Sequence, residues 1–389
     1  MVDRKKVAIA LRLDEPYPHH QQVFEGIQRY AKEHQNWDCL IDEHPGAEPA
    51  KRGPNYPKYD GVIARADEAM QDRLKKMGVP LVNTHYQHMR PDVPGVYVDA
   101  VGVGRLAAMH LLERGYRRLY KIVDLSHRHS LASSEAFAKC AEEEGAECCI
   151  VVDVGEESYG KVGNWIDLER HNSEFLMRYE PPVGVFVEAA PHARILIQQS
   201  IAHGRKVPED IAVICQHNLR AVVDISPQIS RIEISQEVIG YKAAEMLDQL
   251  MAGKEIPQEH VFIPPVGVIA CESTDYFAIS DKVVYDAMQY ISSRLDQKLR
   301  VDDIAYELAV SPSQLKKRFA DSLGRSVGKE ILRLRLEKAK RMLADRDRQV
   351  AQVAKASGFA TADVMNQVFN RELGMTPTGY RKRILGWQT

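Results

Sequence analysis

Residues 356–377 read ASGFATADVMNQVFNRELGMTP, and this stretch decides how the last third of the chain is interpreted. It predicts the end of a short helix, a tight turn at Gly358, a second helix and a stop at Gly374. Glycine favours the left-handed backbone that ends helices, and the pair Thr376-Pro377 is typical of a new helix start. The stretch therefore predicts a helix-turn-helix unit.

A second copy of this pattern lies at residues 304–324. The offset between the copies is 49 residues at the start and 50 after one extra residue in the second turn. Leu315 and Phe319 in the first copy correspond to Met365 and Phe369 in the second. Residues four apart lie on one face of a helix, so each pair is expected in the core of its unit.

One long helix is predicted between the two copies, over residues 327–343. Together with an amphipathic helix over 281–295, it completes an all-α part spanning 281–389, with helix-turn-helix units at about 301–324 and 350–374. Helices that enter successive major grooves of DNA lie about 34 Å apart, and a rigid helix rising about 1.5 Å per residue can fix such a spacing.

The distribution of charge divides the chain at the same place. Residues 281–389 hold 21 basic and 13 acidic side chains, a net charge of +8. The rest of the chain holds 31 basic and 41 acidic side chains, a net charge of −10. A basic module on an acidic one indicates that the carboxyl-terminal part meets a polyanion, and we expect double-stranded DNA.

The first 275 residues alternate between short apolar runs and helical patterns. Strands alternating with helices predict parallel sheets that are covered on both faces. About 270 residues exceed what one such sheet usually needs, so we predict two α/β lobes with a cleft between them. The strand-like runs lie at 7–11, 59–64, 79–83, 95–99, 119–124, 183–187 and 211–215.

Residues 1–276 contain five characteristic stretches, at 24–31, 59–64, 98–112, 207–215 and 234–236. Through these stretches the segment resembles the ligand-binding domain of LacI/GalR-type repressors and the periplasmic sugar-binding proteins. The resemblance implies a sugar or another small effector bound in the cleft, which closes on it. The sequence departs from the family pattern at Ser133, where an arginine is common in the family, and at Gln216-His217-Asn218, where an aspartate is usual.

Polar side chains that follow the predicted strands are the candidate ligand contacts. Polyhydroxy ligands need groups that donate and accept in pairs with an aromatic face nearby, and such groups converge at the carboxyl ends of parallel strands. The candidates selected in this way are Asp14, Tyr17, Arg65, Glu188, His217 and Asn218.

Residues 356–381 resemble the signature of AraC/XylS-type transcription regulators, although that family often has an aromatic residue where Met365 stands. The resemblance to this family extends over about 100 residues and implies which side chains read bases. The implied base-reading residues are Ser313, Lys316, Lys317, Ala362, Asp363, Asn366 and Gln367. Four basic residues near predicted helix ends are expected to hold phosphates, which positions the protein without selecting bases: Arg325, Arg371, Arg381 and Lys382.

An enzyme is the alternative from another class. Gly102 and Gly104, with Ala107 and then Asp124, fit the spacing of a dinucleotide fingerprint, but Asp99-Ala-Val separates them from the preceding strand. The chain has no Walker loop, no His-Glu-x-x-His, no nucleophile elbow and no paired metal-binding cysteines. We therefore expect no enzyme activity, no cofactor and no metal, and reduced cysteines.

The two halves together predict a sugar-responsive DNA-binding regulator. A sensor followed by an AraC-type module is a rare order that resembles the regulators of xylose operons, which implies xylose or another sugar as effector, a homodimer, and RNA polymerase as partner of an activator. The amino-terminal residues lack a secretory signal, and no apolar run is long enough for a membrane span, so we expect the cytoplasm and no membrane partner. A different sugar and a repressor role are the open alternatives.

Overall fold

The computed structural model of the protein describes residues 4–14, 18–47, 57–124, 128–153, 178–216, 220–256, 260–279, 281–343, 345 and 347–385. Leaving aside the last six residues, the chain forms two compact units. Unit 1 comprises Met1–Asp99 and Ile234–Pro265, and unit 2 comprises Ala100–Glu233 and Val266–Arg383.

The elements are numbered in chain order. The strands are β1 Lys5–Ala10, β2 Trp37–Ile41, β3 Gly61–Ala64, β4 Leu81–Asn83, β5 Gly95–Val98, β6 Arg118–Asp124, β7 Glu147–Asp153, β8 Val183–Val187, β9 Ile211–Cys215, β10 Ser230–Glu233, β11 His260–Ile263 and β12 Gly267–Ile269. The helices are α1 Pro18–His34, α2 Glu68–Met77, α3 Ala100–Leu112, α4 Arg128–Glu143, α5 Ala190–Ala202, α6 Arg220–Val223, α7 Gln236–Met251, α8 Lys282–Ser293, α9 Val301–Glu307, α10 Pro312–Leu323, α11 Val327–Leu343, α12 Val350–Ala356, α13 Ala362–Leu373 and α14 Pro377–Leu385. Short 3₁₀ turns lie at Tyr86–His88 and Glu272–Thr274.

Unit 1 is built on a parallel sheet with the strand order β11-β5-β4-β3-β1-β2. Its central strands are continuous apolar runs because helices cover both of their faces. Helices α1 and α7 pack closely because a glycine on each faces the backbone of the other. A Cβ at Gly26 would lie 2.0 Å from the Glu237 oxygen, and one at Gly240 would lie 1.8 Å from the Val23 oxygen.

Unit 2 contains a second sheet, ordered β12-β10-β9-β8-β6-β7, in which β12 alone among these strands runs antiparallel to its neighbour. Helices α3 and α4 pack together through another glycine, since a Cβ at Gly104 would lie 2.0 Å from the Ser133 oxygen. The carboxyl ends of β8 and β9 lie side by side, where the Gln216 amide donates to the Glu188 carbonyl oxygen over 3.1 Å.

The all-α part also belongs to unit 2 and has two apolar cores. The first gathers α8 to α10 and the start of α11, with Met288 and Phe319 completely buried. The second gathers the end of α11 with α12 and α13, with Leu343 and Phe369 completely buried. The predicted fold class, parallel-sheet α/β lobes followed by an all-α part with two helix-turn-helix motifs, is confirmed. The domain limits 1–276 and 281–389 stay a prediction.

Candidate DNA interface and ligand-contact residues

The first helix-turn-helix unit consists of α9, a turn and α10. The Ser311 hydroxyl accepts from the Gln314 amide over 3.1 Å, and the Gln314 side chain accepts in return from the Ser311 amide over 3.2 Å. This capping box satisfies amide groups that the first turn of a helix leaves unpaired. Leu315 and Phe319 are fully buried. The opposite face of α10 is exposed and carries Ser313, Lys316 and Lys317.

The second helix-turn-helix unit consists of α12, a turn at Gly358 and α13. Gly358 has a φ of +81°, and a Cβ there would lie 1.8 Å from the Leu295 oxygen, so only glycine fits this turn. The Thr361 hydroxyl caps α13 by accepting from the Val364 amide over 3.2 Å. Met365 and Phe369 are fully buried, so methionine fills the core position that is aromatic in many AraC-type proteins.

The predicted base-reading residues of the second helix-turn-helix unit lie on the side of α13 opposite Met365 and Phe369. Asp363 and Gln367 are exposed, whereas Ala362 and Asn366 are half-buried. The structure thus places an exposed recognition face on both units, and the DNA contacts themselves stay a prediction.

Glu188 is the centre of the polar cluster at the carboxyl ends of β6 and β8. Its carboxylate accepts from the Ser133 hydroxyl over 2.9 Å and lies 3.2 Å from the Lys121 ammonium and 3.5 Å from His129 Nε2. Burial opposes ionisation of this carboxyl group, but the Lys121 charge and the hydrogen bonds from His129 and Ser133 hold its pKa well below its usual range. Glu188 is therefore a fixed carboxylate.

Sequence reasoning missed Lys121 and His129. Lys121 is fully buried within β6, where its ammonium also lies 4.2 Å from the centre of the Phe186 ring. A lysine inside an apolar strand was the available signal, because a buried ammonium requires a partner of opposite charge.

The other predicted ligand contacts are placed less fully. In unit 1, Asp14 is exposed after β1, and half-buried Arg65 follows β3, where its amide donates to the Ala10 oxygen over 2.8 Å. Tyr17, His217 and Asn218 lie outside the described residues. The convergence of these candidates on one cleft stays a prediction.

Comparisons with known proteins agree with both parts of this architecture. Family models of a periplasmic binding protein-like domain and a helix-turn-helix domain match residues 108–274 and 304–383. The chain is 28% identical over 391 residues to the xylose operon regulatory protein of Escherichia coli strain K12, covering 97% of each protein. It is 25% identical over 390 residues to the protein of that name from Haemophilus influenzae, covering 97% of this chain and 98% of the relative.

The chain is a helix-turn-helix transcription regulator with a periplasmic-binding-protein-like sensor.

Solved structures agree with the fold of the regulator. The structure of a xylose-binding transcription activator matches with a TM-score of 0.60 and 24% identity, over 98% of this chain and 99% of that chain. A cellobiose complex of the transcriptional regulator CelR matches with a TM-score of 0.56 and 20% identity, over 70% of this chain and 86% of that chain.

Two of the predicted phosphate contacts have partners within the protein. Arg381 is buried, and its guanidinium donates to the Leu343 oxygen over 3.1 Å and to the Arg348 oxygen over 2.6 Å. It holds the end of α11. Arg325 is half-buried, and its guanidinium pairs with the buried Glu330 carboxylate. Phosphate contact by either arginine stays a prediction.

The other two predicted phosphate contacts remain accessible. Arg371 is exposed and pairs with the exposed Glu372 carboxylate over 2.7 Å, an arrangement that contributes little stability at a protein surface. Lys382 is half-buried in α14.

The dinucleotide interpretation does not fit the structure of the regulator. Gly102 and Gly104 lie inside α3, which begins at Ala100, rather than in a tight turn directly after a strand. Gly104 is required instead by its contact with α4. Among the described residues, no three His, Cys, Asp or Glu side chains gather as a metal-binding group, and no helix is both long and apolar enough to cross a membrane.

Proposed function

We propose that the regulator binds promoter DNA through both helix-turn-helix units and activates genes of sugar utilisation in response to a sugar, with xylose as the first candidate. The observation that carries this proposal is the pair of similarly capped recognition helices that expose the predicted base-reading side chains. The full-length similarity to xylose operon regulatory proteins supports the choice of xylose.

The two exposed faces suit different bases. Lysine side chains such as Lys316 and Lys317 donate to guanine O6 and N7 in the major groove. Asn366 and Gln367 can each pair with adenine, and Asp363 accepts from the cytosine amino group. Arg371 and Lys382 supply positive charge for phosphates, which positions the protein without selecting a sequence.

The Glu188 cluster suits a neutral polyhydroxy effector. A fixed carboxylate accepts hydrogen bonds from sugar hydroxyl groups, and Lys121 keeps it ionised. A sugar acid or sugar phosphate would bring a second negative charge toward Glu188, which is unfavourable at low dielectric. We propose Glu188 as an effector contact and Lys121 and Ser133 as the residues that position it.

The remaining assignments follow from a promoter-binding role. We propose that the regulator acts as a homodimer in the cytoplasm, contacts RNA polymerase and has no catalytic activity. A turnover assay with sugars and nucleotides should give no product.

A second candidate keeps the architecture and changes the effector or the sign of regulation. Ser133 favours it, because a short hydroxyl stands against Glu188 where many LacI/GalR-type proteins have arginine. The effector would then be another sugar, and the regulator could repress.

Thermal unfolding with a panel of neutral sugars and sugar acids tests the effector assignment. A ligand at 100 times its Kd stabilises by about 2.7 kcal/mol, which raises the melting temperature measurably. We expect D-xylose to give the largest shift and Glu188→Gln to reduce it. No shift at millimolar D-xylose, with a shift for another sugar, would establish the second candidate instead.

A further inference from the structure

The carboxyl end of α3 contacts the all-α part of unit 2. Glu113, the residue after α3, forms an ion pair with Arg333 in the middle of α11. Both side chains are largely buried, with 14% and 19% of their surface exposed. An Arg–Glu pair thus joins the sheet-bearing part of the unit to the helix that links the two DNA-reading units.

This pair belongs to a larger buried charge cluster, which consists of Glu113, Arg325, Glu330 and Arg333. Arg333 donates to both carboxylate oxygens of Glu330, over 3.0 and 2.7 Å. Glu330 is completely buried and also pairs with Arg325, whose guanidinium lies 3.4 Å from the Glu113 carbonyl oxygen. The two arginines and two glutamates sum to zero net charge, and none has more than 24% of its side-chain surface exposed.

The balance makes the cluster sensitive to any single change. Burial opposes ionisation of Glu330, but Arg333 and Arg325 hold the pKa of its carboxyl group below the usual value. Removing one partner leaves an uncompensated buried charge, which is far more disruptive than losing an exposed pair.

The segment that leads to α8 is attached at the same end of α3. Arg114 donates to the Thr274 oxygen over 2.7 Å, and the Ala278 amide donates to the Arg114 oxygen over 2.6 Å. Gly115 has a φ of +88°, and a Cβ there would lie 2.7 Å from the Ala278 oxygen. The linker therefore rests against backbone that has no room for a side chain.

A third attachment lies at the far end of the all-α part. The Tyr380 hydroxyl in α14 donates to the Val266 oxygen over 2.8 Å. Val266 is the residue at which the chain enters unit 2 for the second time, and Ala100, the first residue of α3, is where it enters first. The attachments at the end of α3 and at Val266 thus lie on the two segments by which the chain enters unit 2.

We propose that the buried charge cluster docks the all-α part onto the sheet-bearing part of unit 2 and transmits the state of the sensor to the DNA-reading units. Helix α3 is 13 residues long and connects the crossing at Asp99 and Ala100 with the cluster. A change of backbone direction at that crossing moves the Glu113 carboxylate, and Arg333 moves α11 with it. The transmission half of this proposal rests on the proposed function, whereas the docking half does not.

Native-state hydrogen exchange of the full-length protein tests the docking half. The probe is the linker amide of Ala278, which donates to the Arg114 oxygen at the end of α3 where the cluster lies. In Glu113→Gln, exchange at Ala278 should accelerate about tenfold or more, while the strand Val183–Val187 keeps its protection. Arg105→Gln is the matched control, because Arg105 lies on α3 and forms an exposed ion pair with Glu143 over 3.1 Å. In this variant, exchange at Ala278 should proceed at the rate of the parent protein.

Two further variants decide the case if Glu113→Gln loses its fold. Arg333→Lys keeps the charge but loses the two-pronged contact with Glu330, and Gly115→Ala disturbs the linker without touching a charge. Each should accelerate Ala278 exchange and leave Val183–Val187 protected. Unchanged exchange at Ala278 in every folded variant would overturn the docking.

DNA binding with and without D-xylose tests the transmission half. We expect the parent protein to change its DNA affinity by about fivefold or more with D-xylose. Glu113→Gln should keep its DNA affinity without sugar and lose the response. An intact response to D-xylose in Glu113→Gln would overturn transmission. If the parent protein does not respond to D-xylose, the xylose assignment is contradicted, and hydrogen exchange alone tests the docking.

Discussion

The two helix-turn-helix units have the same scaffold and different exposed faces. Helices α10 and α13 are both 12 residues long, and each ends at a glycine with a φ of 67°. The first exposes the lysines Lys316 and Lys317, whereas the second exposes Asp363 and Gln367. The comparison teaches that the buried positions fix the shape of each unit, while a few exposed positions on each hold the information about DNA sequence.

The units also share a helix without sharing a core. Helix α11 contributes Val327 and Ile331 to the first core and Leu336, Ala339 and Leu343 to the second. We therefore expect damage to one core to stay mostly within its own unit.

The largest expected effect comes from emptying one core at a time. Phe319→Ala and Phe369→Ala each remove a fully buried ring, at an expected cost of about 3–5 kcal/mol. Hydrogen exchange should accelerate mainly in α10 for the first variant and mainly in α13 for the second. Equal acceleration in both helices for either variant would show that the cores form one cooperative unit.

Gly358 in the turn and Gly374 at the helix end should differ in the stability lost on substitution by alanine. Gly374→Ala should cost about 1–2 kcal/mol, because its φ of +67° disfavours alanine but the space around it is open. Gly358→Ala should cost more, since its Cβ also meets the Leu295 oxygen. Thermal unfolding of the two variants measures the difference, and equal melting temperatures would contradict the clash.

Substitutions on the two exposed faces should differ in how they change the salt dependence of DNA affinity. Lys316→Ala and Gln367→Ala should each weaken operator binding by about 1–3 kcal/mol and relax the preference at one base position. Only the lysine change should alter the slope of log affinity against log salt, by about 1, because it removes a cation near the phosphates. Binding isotherms at several salt concentrations decide this, with Lys298→Ala as an exposed lysine outside both units for comparison.

The smallest expected effect separates the two caps. Ser311→Ala removes the two hydrogen bonds of the Ser311 hydroxyl, one accepted from the Gln314 amide and one donated to the Gln314 side chain, whereas Thr361→Ala removes one hydrogen bond. Both should cost about 1 kcal/mol, with the larger loss at Ser311. A larger loss at Thr361 would show that the box adds nothing beyond the single bond.

Features set by near neighbours in the chain were predictable from the sequence. The stop at Gly374 and the span of α11, residues 327–343, were predicted and are confirmed. Each depends on the backbone geometry of a few consecutive residues, and the local sequence predicts that geometry directly.

Features set by distant partners were not predictable. Arg381 resembles a phosphate contact in sequence, yet its partner is the Leu343 oxygen, 38 residues away. Lys121 was missed because Glu188, which balances its charge, lies on a different strand. Strands β2 and β7 were also missed, since only the sheet order reveals them as the outer neighbours of β1 and β6.

Footprinting of operator DNA by the full-length regulator tests the central claim most directly. If both units of one chain read DNA, each chain should protect two major-groove segments on one face of the duplex, about one helical turn apart. Gln367→Ala should weaken protection of one segment and Lys316→Ala that of the other. A single protected segment per chain, weakened equally by both variants, would contradict the account.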